Sequence, residues 1–164
     1  MTDEKKQIRL LIVDDDEKLL KTMAERLVLN DFDVTTASEG KQAIKAAKKG
    51  RFDVAIVDLK MPGMDGMELL TILKKKHKFL EIIILTGFAS LESAVECTKL
   101  GAFGYIEKPY KFDNLLEKLK EAYTERLNKK FEYDTKRRED IKILSLGSPI
   151  AVLNALRRMD DYEK

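Results

Sequence analysis

The chain has very little cysteine: Cys97 is the single one among its 164 residues. One cysteine excludes an internal disulfide and is typical of a reducing compartment, so we expect a cytoplasmic protein. Long apolar runs are also missing, since none approaches the ~20 residues of a membrane span. The start, MTDEKKQI, lacks the apolar centre of a signal peptide. A membrane protein or a disulfide-stapled secreted domain is therefore not expected.

An excess of one charge sign is missing as well. The 31 lysines and arginines against 29 aspartates and glutamates give a net charge of +2, which does not favour binding to nucleic acid or anionic membranes. The sole histidine, His77, lies in the lysine-rich run KKKHKF and is interpreted as part of a solvated face rather than as a ligand or phosphohistidine. No G-x-x-x-x-G-K-[ST] motif supports a nucleotide P-loop.

Five short apolar runs alternate with stretches of helical periodicity. The predicted strands are 8–13, 33–37, 53–58, 81–86 and 103–108. Asp16, Asp65 and Ser90 are placed to cap helices that follow strands. Repeated alternation of strand and helix predicts a parallel sheet with helices on both faces. Right-handed crossovers favour a doubly wound strand order.

Chemically active side chains follow the predicted strands where each strand ends. They are Asp14 and Asp15 after the first strand, Asp58 at the end of the third, Thr86 at the end of the fourth and Lys108 at the end of the fifth. Ligands of doubly wound sheets bind at this edge. Because neighbouring carboxylates repel one another, we expect a cation among them. Carboxylate clusters suit Mg²⁺.

The same side chains suit phosphoryl transfer. Asp58, at the tip of the central strand, is placed to act as a nucleophile that forms an aspartyl phosphate. Thr86 can donate a hydrogen bond to a phosphoryl oxygen, and Lys108 supplies a compact positive charge. Phosphoryl transfer needs little beyond in-line positioning and charge neutralisation.

Four stretches of the chain resemble the receiver domains of bacterial two-component response regulators. They are LLIVDDDEKL, DVAIVDLKMPGMDGMELL, IIILTGFAS and GAFGYIEKPY, and the resemblance covers about residues 8–127. It implies an α/β, flavodoxin-like fold, a doubly wound five-stranded parallel sheet of order 2-1-3-4-5. It also implies that the chain is not an enzyme in the usual sense but a phosphoacceptor that catalyses its own phosphotransfer and slow autodephosphorylation.

The resemblance assigns roles to individual residues. Asp58 would be the phosphoacceptor, and Thr86 and Lys108 would bind the phosphoryl group. Asp15, Asp58 and the backbone carbonyl of Lys60 would ligate Mg²⁺ directly, whereas Asp14 would act mainly through water. The Lys108–Pro109 peptide bond would be cis.

The resemblance further implies a two-state switch and its partners. Phosphorylation of Asp58 would draw Thr86 inward and let Tyr105 rotate from an exposed to a buried position. The surface of the fourth helix, fifth strand and fifth helix would then change shape and bind an unknown downstream protein. The phosphoryl donor would be a sensor histidine kinase or a phosphotransfer protein.

Residues 128–164 follow the predicted receiver domain, residues 1–127, and form a short C-terminal helical extension of unknown role. Ser148 and Pro149 predict a helix start, with Ile150, Leu153, Leu156 and Met159 broadly on one side, whereas IKILSL is ambiguous between helix and strand. On one interpretation the extension folds back on the receiver or is partly disordered; on the other, its apolar helix docks a partner or pairs two chains in a homodimer. It is too short for a DNA-binding output domain, so no direct nucleic-acid binding is expected.

Two other functions share parts of this pattern. A haloacid-dehalogenase-type phosphatase also uses Mg²⁺ and an aspartyl phosphate, but its Asp-x-Asp motif continues to Thr or Val two residues later, where this chain has Lys18. A pseudo-receiver that only binds partners is the second alternative. The complete set of acidic, hydroxyl and amine side chains counts against it.

Overall fold

The computed structural model describes residues 7–160; the ends of the two predicted domains, residues 1–6 and 161–164, lie outside the described residues. Five strands alternate with five helices within the described part, and two further helices follow. They are β1 (Arg9–Val13), α1 (Glu17–Leu29), β2 (Asp33–Ala37), α2 (Gly40–Lys49), β3 (Val54–Val57), α3 (Gly66–Lys76), β4 (Glu81–Thr86), α4 (Leu91–Lys99), β5 (Gly104–Glu107), α5 (Phe112–Lys130), α6 (Thr135–Leu144) and α7 (Pro149–Asp160). None of these helices has the length and apolar character needed to cross a bilayer.

The sheet is wholly parallel, with the order β2-β1-β3-β4-β5. This is the flavodoxin-like order expected from the sequence, and the five strands match the predicted apolar runs to within one residue at each end. Val13 of β1 pairs with Val57 of β3, so the residues that follow, Asp14 and Asp58, leave adjacent strands at the same level. The register therefore positions two of the candidate acidic residues side by side.

Apolar side chains cover both faces of the sheet. Helices α1, α5 and α7 contribute to the core on one face, and helices α2, α3 and α4 contribute to the core on the other. The strand residues of β3 and β4 are buried throughout, as expected for central strands covered on both sides. Cys97 of α4 is fully buried in the second core, where burial raises the pKa of its thiol, so it acts as a packing residue.

Side-chain caps confirm three predicted helix starts. The carboxylate of Asp16 accepts a hydrogen bond from the Leu19 N–H at 3.1 Å, and that of Asp65 accepts one from the Glu68 N–H at 2.9 Å. Ser90 caps α4 by accepting from the Ser93 N–H at 3.0 Å. Because Asp16 is used as a cap, Asp14 and Asp15 are the two aspartates that remain for chemistry at the end of β1.

The C-terminal extension forms two helices that fold back on the receiver. Helix α5 continues to Lys130, past the predicted domain boundary at residue 127, and the ambiguous segment joins α6 as helix up to Leu144. Val152, Leu153 and Leu156 of α7 are buried in the same core as α1 and α5. The apolar side of α7 is therefore covered by its own chain, which is the first of the two arrangements considered for the extension.

Candidate functional site

Three acidic side chains meet at the carboxyl edge of the sheet. One carboxylate oxygen from each of Asp14, Asp15 and Asp58 lies within 4.8 Å of the other two. Asp14 and Asp58 are buried, whereas Asp15 is exposed. A further contact fixes Asp14, because its Oδ1 accepts a hydrogen bond from the backbone N–H of Asp16 at 2.9 Å. The cluster has the oxygen-rich composition that suits a hard divalent cation.

Lys108 brings one positive charge to this cluster. Its Nζ lies 2.6 Å from Asp14 Oδ2 and 3.9 Å from Asp58 Oδ2, so in this structure it pairs mainly with Asp14. The backbone N–H of Lys108 donates to the Thr86 carbonyl at 2.8 Å, which fixes the end of β5 against β4. The Lys108–Pro109 bond is cis, as the resemblance implied.

Asp58 has an unusual electrostatic environment. Burial and the nearby negative charge of Asp14 raise the pKa of the Asp58 carboxyl, and the Lys108 ammonium only partly opposes them. Asp58 Oδ1 is buried and has no hydrogen-bond partner among residues 7–160. Such an atom is costly to leave unpaired. An unpaired oxygen in a cluster of three carboxylates and one lysine fits a bound Mg²⁺.

The loop after β3 is held close to Asp58 by a glycine. A Cβ at Gly66 would lie 2.2 Å from the Asp58 carbonyl oxygen, so only glycine lets α3 begin against this backbone. The Gly66 N–H donates to the Leu59 carbonyl at 2.8 Å, which closes the turn. This contact explains the second glycine of the MPGMDG stretch, since it fixes the position of the candidate phosphoacceptor.

Above the acids the site opens into a cleft of about 1150 Å³. Lys60, a predicted ligand through its backbone carbonyl, lies at this cleft with an exposed side chain. The Lys60 ammonium lies 5.1 Å from the ring centroid of Phe88, a residue that is 61% exposed. Lys60, Phe88 and Asp58 all line this cleft.

The two predicted switch residues lie on adjacent strands near the cleft. Thr86 is fully buried, and its Oγ1 accepts a hydrogen bond from the Phe88 N–H at 3.1 Å. Tyr105 is half-buried, and its hydroxyl lies 2.6 Å from the Ser93 hydroxyl of α4. Ser93 was not singled out from the sequence. The spacing of Ser90 and Ser93 at a helix start was a capping signal, but nothing in it indicates a contact twelve residues away.

A family model for the response regulator receiver domain matches residues 10–120 of the chain. The chain belongs to the response regulator receiver family. The receiver is 36% identical over 117 residues to the transcriptional regulatory protein GlrR of Escherichia coli, a match that covers 71% of this chain and 26% of GlrR. It is 36% identical over 118 residues to an NtrX-like putative response regulator of Rickettsia felis, covering 71% and 25% of the two chains. The matched region thus spans about a quarter of the length of these relatives.

Solved receiver structures have the same fold. A CheY-like receiver domain from Methanospirillum hungatei superposes with a TM-score of 0.73 at 35% identity, covering 76% of this chain and 99% of the other. The response regulator TrrA of Thermotoga maritima, solved in complex with Mg²⁺ and BeF, superposes with a TM-score of 0.64 at 33% identity, covering 70% and 97%. These matches confirm the predicted family and fold. None of them supports the phosphatase alternative, and the chain is a receiver domain of the two-component type.

The raised pKa of Asp58 leads to a testable pH dependence. An acid whose pKa is higher in the folded than in the unfolded state favours folding when protonated, and this contribution is lost as the pH rises through the folded-state pKa. Mg²⁺ binding requires the ionised carboxylates and relieves the repulsion between Asp58 and Asp14. We therefore expect Mg²⁺ to raise the melting temperature most at neutral pH, and this increase to shrink as the pH falls toward the raised pKa of Asp58.

Thermal unfolding with Mg²⁺ or with EDTA across a pH series measures this increase. Asp65→Asn is the matched control, because Asp65 lines the same cleft but lies outside the acidic cluster, and asparagine also caps helices. The control should keep the wild-type response to Mg²⁺. An increase that does not change with pH would show that Asp58 does not control metal binding.

Proposed function

We propose that Asp58 accepts a phosphoryl group from a sensor histidine kinase or a phosphotransfer protein. The observation that carries this proposal is the unpaired, buried Oδ1 of Asp58 within a cluster of carboxylates beside a lysine. Burial and the nearby charge of Asp14 raise the pKa of this carboxyl, and a cation would relieve the repulsion from Asp14. The cleft of about 1150 Å³ above it leaves room for the imidazole of a donor.

In the proposed reaction an ionised oxygen of Asp58 attacks the phosphorus of a phosphohistidine. The new O–P bond forms as the P–N bond breaks, and the imidazole nitrogen keeps the electron pair and takes up a proton. Lys108 neutralises charge on a phosphoryl oxygen, which requires its ammonium to share its present contact with Asp14. The Thr86 hydroxyl donates to another phosphoryl oxygen. Water attack on the same phosphorus later releases phosphate, which is the slow autodephosphorylation.

The metal site belongs to the same proposal. Asp15 and Asp58 would hold Mg²⁺ directly together with the Lys60 carbonyl, and Asp14 would act mainly through water. When bound, Mg²⁺ supplies the positive charge that the acidic cluster lacks and that the phosphoryl oxygens need. The exposed Asp15 offers the edge of the cluster from which the ion can enter.

The output of the domain is also a proposal. Phosphorylation would draw Thr86 inward, move Tyr105 from its half-buried position to a buried one and reshape the surface of α4, β5 and α5 for an unknown downstream protein. A homodimer is a further candidate arrangement. No direct contact with nucleic acid or membrane is proposed for the chain, which we place in the cytoplasm, although GlrR is named a transcriptional regulatory protein.

Incubation with acetyl phosphate and Mg²⁺, followed by intact mass measurement, tests the proposal. We expect an adduct with the mass of one phosphoryl group, and peptide mapping after borohydride reduction should place it at Asp58. EDTA should abolish the adduct. An adduct at another residue, or labelling that survives EDTA, would contradict the proposed site.

A further inference from the structure

The hydroxyl of Ser93 connects the first turn of α4 to β5. Tyr105 lies in β5, twelve residues along the chain from Ser93, and the two hydroxyl oxygens are 2.6 Å apart. This is the shortest of the contacts recorded for the Ser93 hydroxyl. The same oxygen lies 2.9 Å from the Ser90 hydroxyl, 3.2 Å from the Ser90 N–H and 3.1 Å from the Ser90 carbonyl. A single side chain therefore serves the cap of α4 and the aromatic residue of β5.

These contacts compete for a limited number of bonds. A serine hydroxyl has one proton to donate and two lone pairs to accept with. Four polar groups surround that of Ser93, three from Ser90 and one from Tyr105, so the hydroxyl cannot bond to all of them at full strength. When the Tyr105 hydroxyl moves away, the Ser90 groups can take its place. The cap of α4 and the position of Tyr105 are thus linked through one atom.

We propose that Ser93 is a positioning residue for Tyr105, and that its hydroxyl stabilises the half-buried position of that side chain. The inference rests on the proposed function, in which Tyr105 moves to a buried position when Asp58 carries a phosphoryl group. Ser93 also lines the cleft that contains Asp58, so the link lies within reach of the phosphorylation site. Breaking the bond favours the buried position and hence the phosphoryl-bound state.

The expected change in binding affinity follows from the net free energy that one hydrogen bond contributes. A net contribution of this kind corresponds to a factor of about two to ten in an equilibrium constant. Ser93→Ala should therefore tighten the apparent binding of beryllofluoride, a phosphoryl mimic, in the presence of Mg²⁺ by about two- to tenfold. Tyr105→Phe removes the same bond from the other side. The double variant should bind no more tightly than the tighter of the two single variants.

Fluorine NMR of the full chain labelled with 3-fluorotyrosine detects the hydrogen bond between Ser93 and Tyr105 through the chemical shift of Tyr105. Tyr105→Phe assigns the Tyr105 signal among those of the five tyrosines. Ser93→Ala should change the chemical shift of the Tyr105 signal and leave that of Tyr123 unchanged. Ser93→Thr keeps a hydroxyl, so its Tyr105 signal should lie at the wild-type position. Ser90→Ala is the matched control, because it weakens the helix cap but leaves the Ser93 hydroxyl that contacts Tyr105.

The outcomes separate this inference from the function on which it rests. If wild type fails to bind beryllofluoride, or if Asp58→Asn binds it as tightly as wild type, the proposed function is wrong. If wild type binds it but Ser93→Ala leaves the Tyr105 signal and the affinity unchanged, Ser93 is only a capping residue. Weaker binding by Ser93→Ala, effects that add in the double variant, or equal effects of Ser90→Ala would also overturn the inference.

Discussion

Asp58→Asn is expected to abolish acetyl phosphate labelling while making the metal-free protein more stable. The amide is not a nucleophile for phosphorus, so the adduct should fall below detection. The same change removes one of two buried negative charges that share a single lysine at 2.6 and 3.9 Å. Relief of this repulsion should raise the free energy of unfolding in EDTA by about 1 kcal/mol. Intact mass measurement and urea unfolding of the same preparation check both effects.

The pairing of lost activity with gained stability is what distinguishes a functional carboxylate from a structural one. Residues at active sites are held in arrangements that cost stability, and their replacement commonly stabilises a protein. Asp65→Asn, the control for the metal response, should change neither labelling nor stability, since Asp65 is exposed. A destabilised Asp58→Asn would mean that Lys108 depends on Asp58 more than the 3.9 Å separation indicates.

Much of the receiver was predictable because local patterns and the sheet agree. The apolar run before Asp14 and the run before Asp58 are too short for helices and too apolar for an exposed strand, which leaves central parallel strands. Once both strands are parallel, their ends share one edge of the sheet, and the side chains that follow them come together without further information. The roles of these residues in phosphoryl transfer remain predictions, but their proximity is a property of the fold.

Contacts made by side chains across the fold were not predictable in this way. The sequence places Lys108 near the acids but does not determine that its ammonium lies closer to Asp14 than to Asp58, because that choice depends on rotamers and on burial. The contact between Ser93 and Tyr105 likewise joins two elements whose separate patterns are complete without it. Ser93 is explained by the helix cap and Tyr105 by its strand, so the sequence gives no reason to expect a contact between them.

The C-terminal extension shows the same limit on a larger scale. Helical periodicity indicated an apolar side for α7, but not which surface covers it. In the structure the guanidinium of Arg126, on α5, connects α7 to the sheet through three contacts. It donates to the Phe79 carbonyl at 2.8 Å, lies 3.2 Å from the Asp53 carboxylate next to β3 and 3.7 Å from the Asp160 carboxylate at the end of α7. The extension is therefore tied to the base of the sheet.

Asp160 is the residue of α7 on which these polar contacts converge. Burial alone would raise the pKa of its carboxyl, but hydrogen bonds from Lys130 and Tyr123, together with the charge of Arg126, outweigh burial and hold the pKa below its usual value. A carboxyl with a lowered pKa in the folded state contributes stability above its unfolded-state pKa and loses it as the pH falls through the folded-state value. The polar attachment of α7 is thus complete at neutral pH.

Leu156→Ala is expected to destabilise the whole receiver and not α7 alone. Leu156 is fully buried in the core that contains α1, α5 and the strands, so its truncation leaves a cavity and should lower the free energy of unfolding by about 2–5 kcal/mol. Leu146→Ala, the same change at a side chain 86% exposed in the turn before α7, should stay within about 0.5 kcal/mol of wild type. Urea unfolding followed by circular dichroism measures both.

Because α7 shares its core with the sheet, Leu156→Ala should unfold in a single transition at a lower urea concentration than wild type. An early partial transition, or equal effects of the two variants, would mean that the extension folds separately from the receiver.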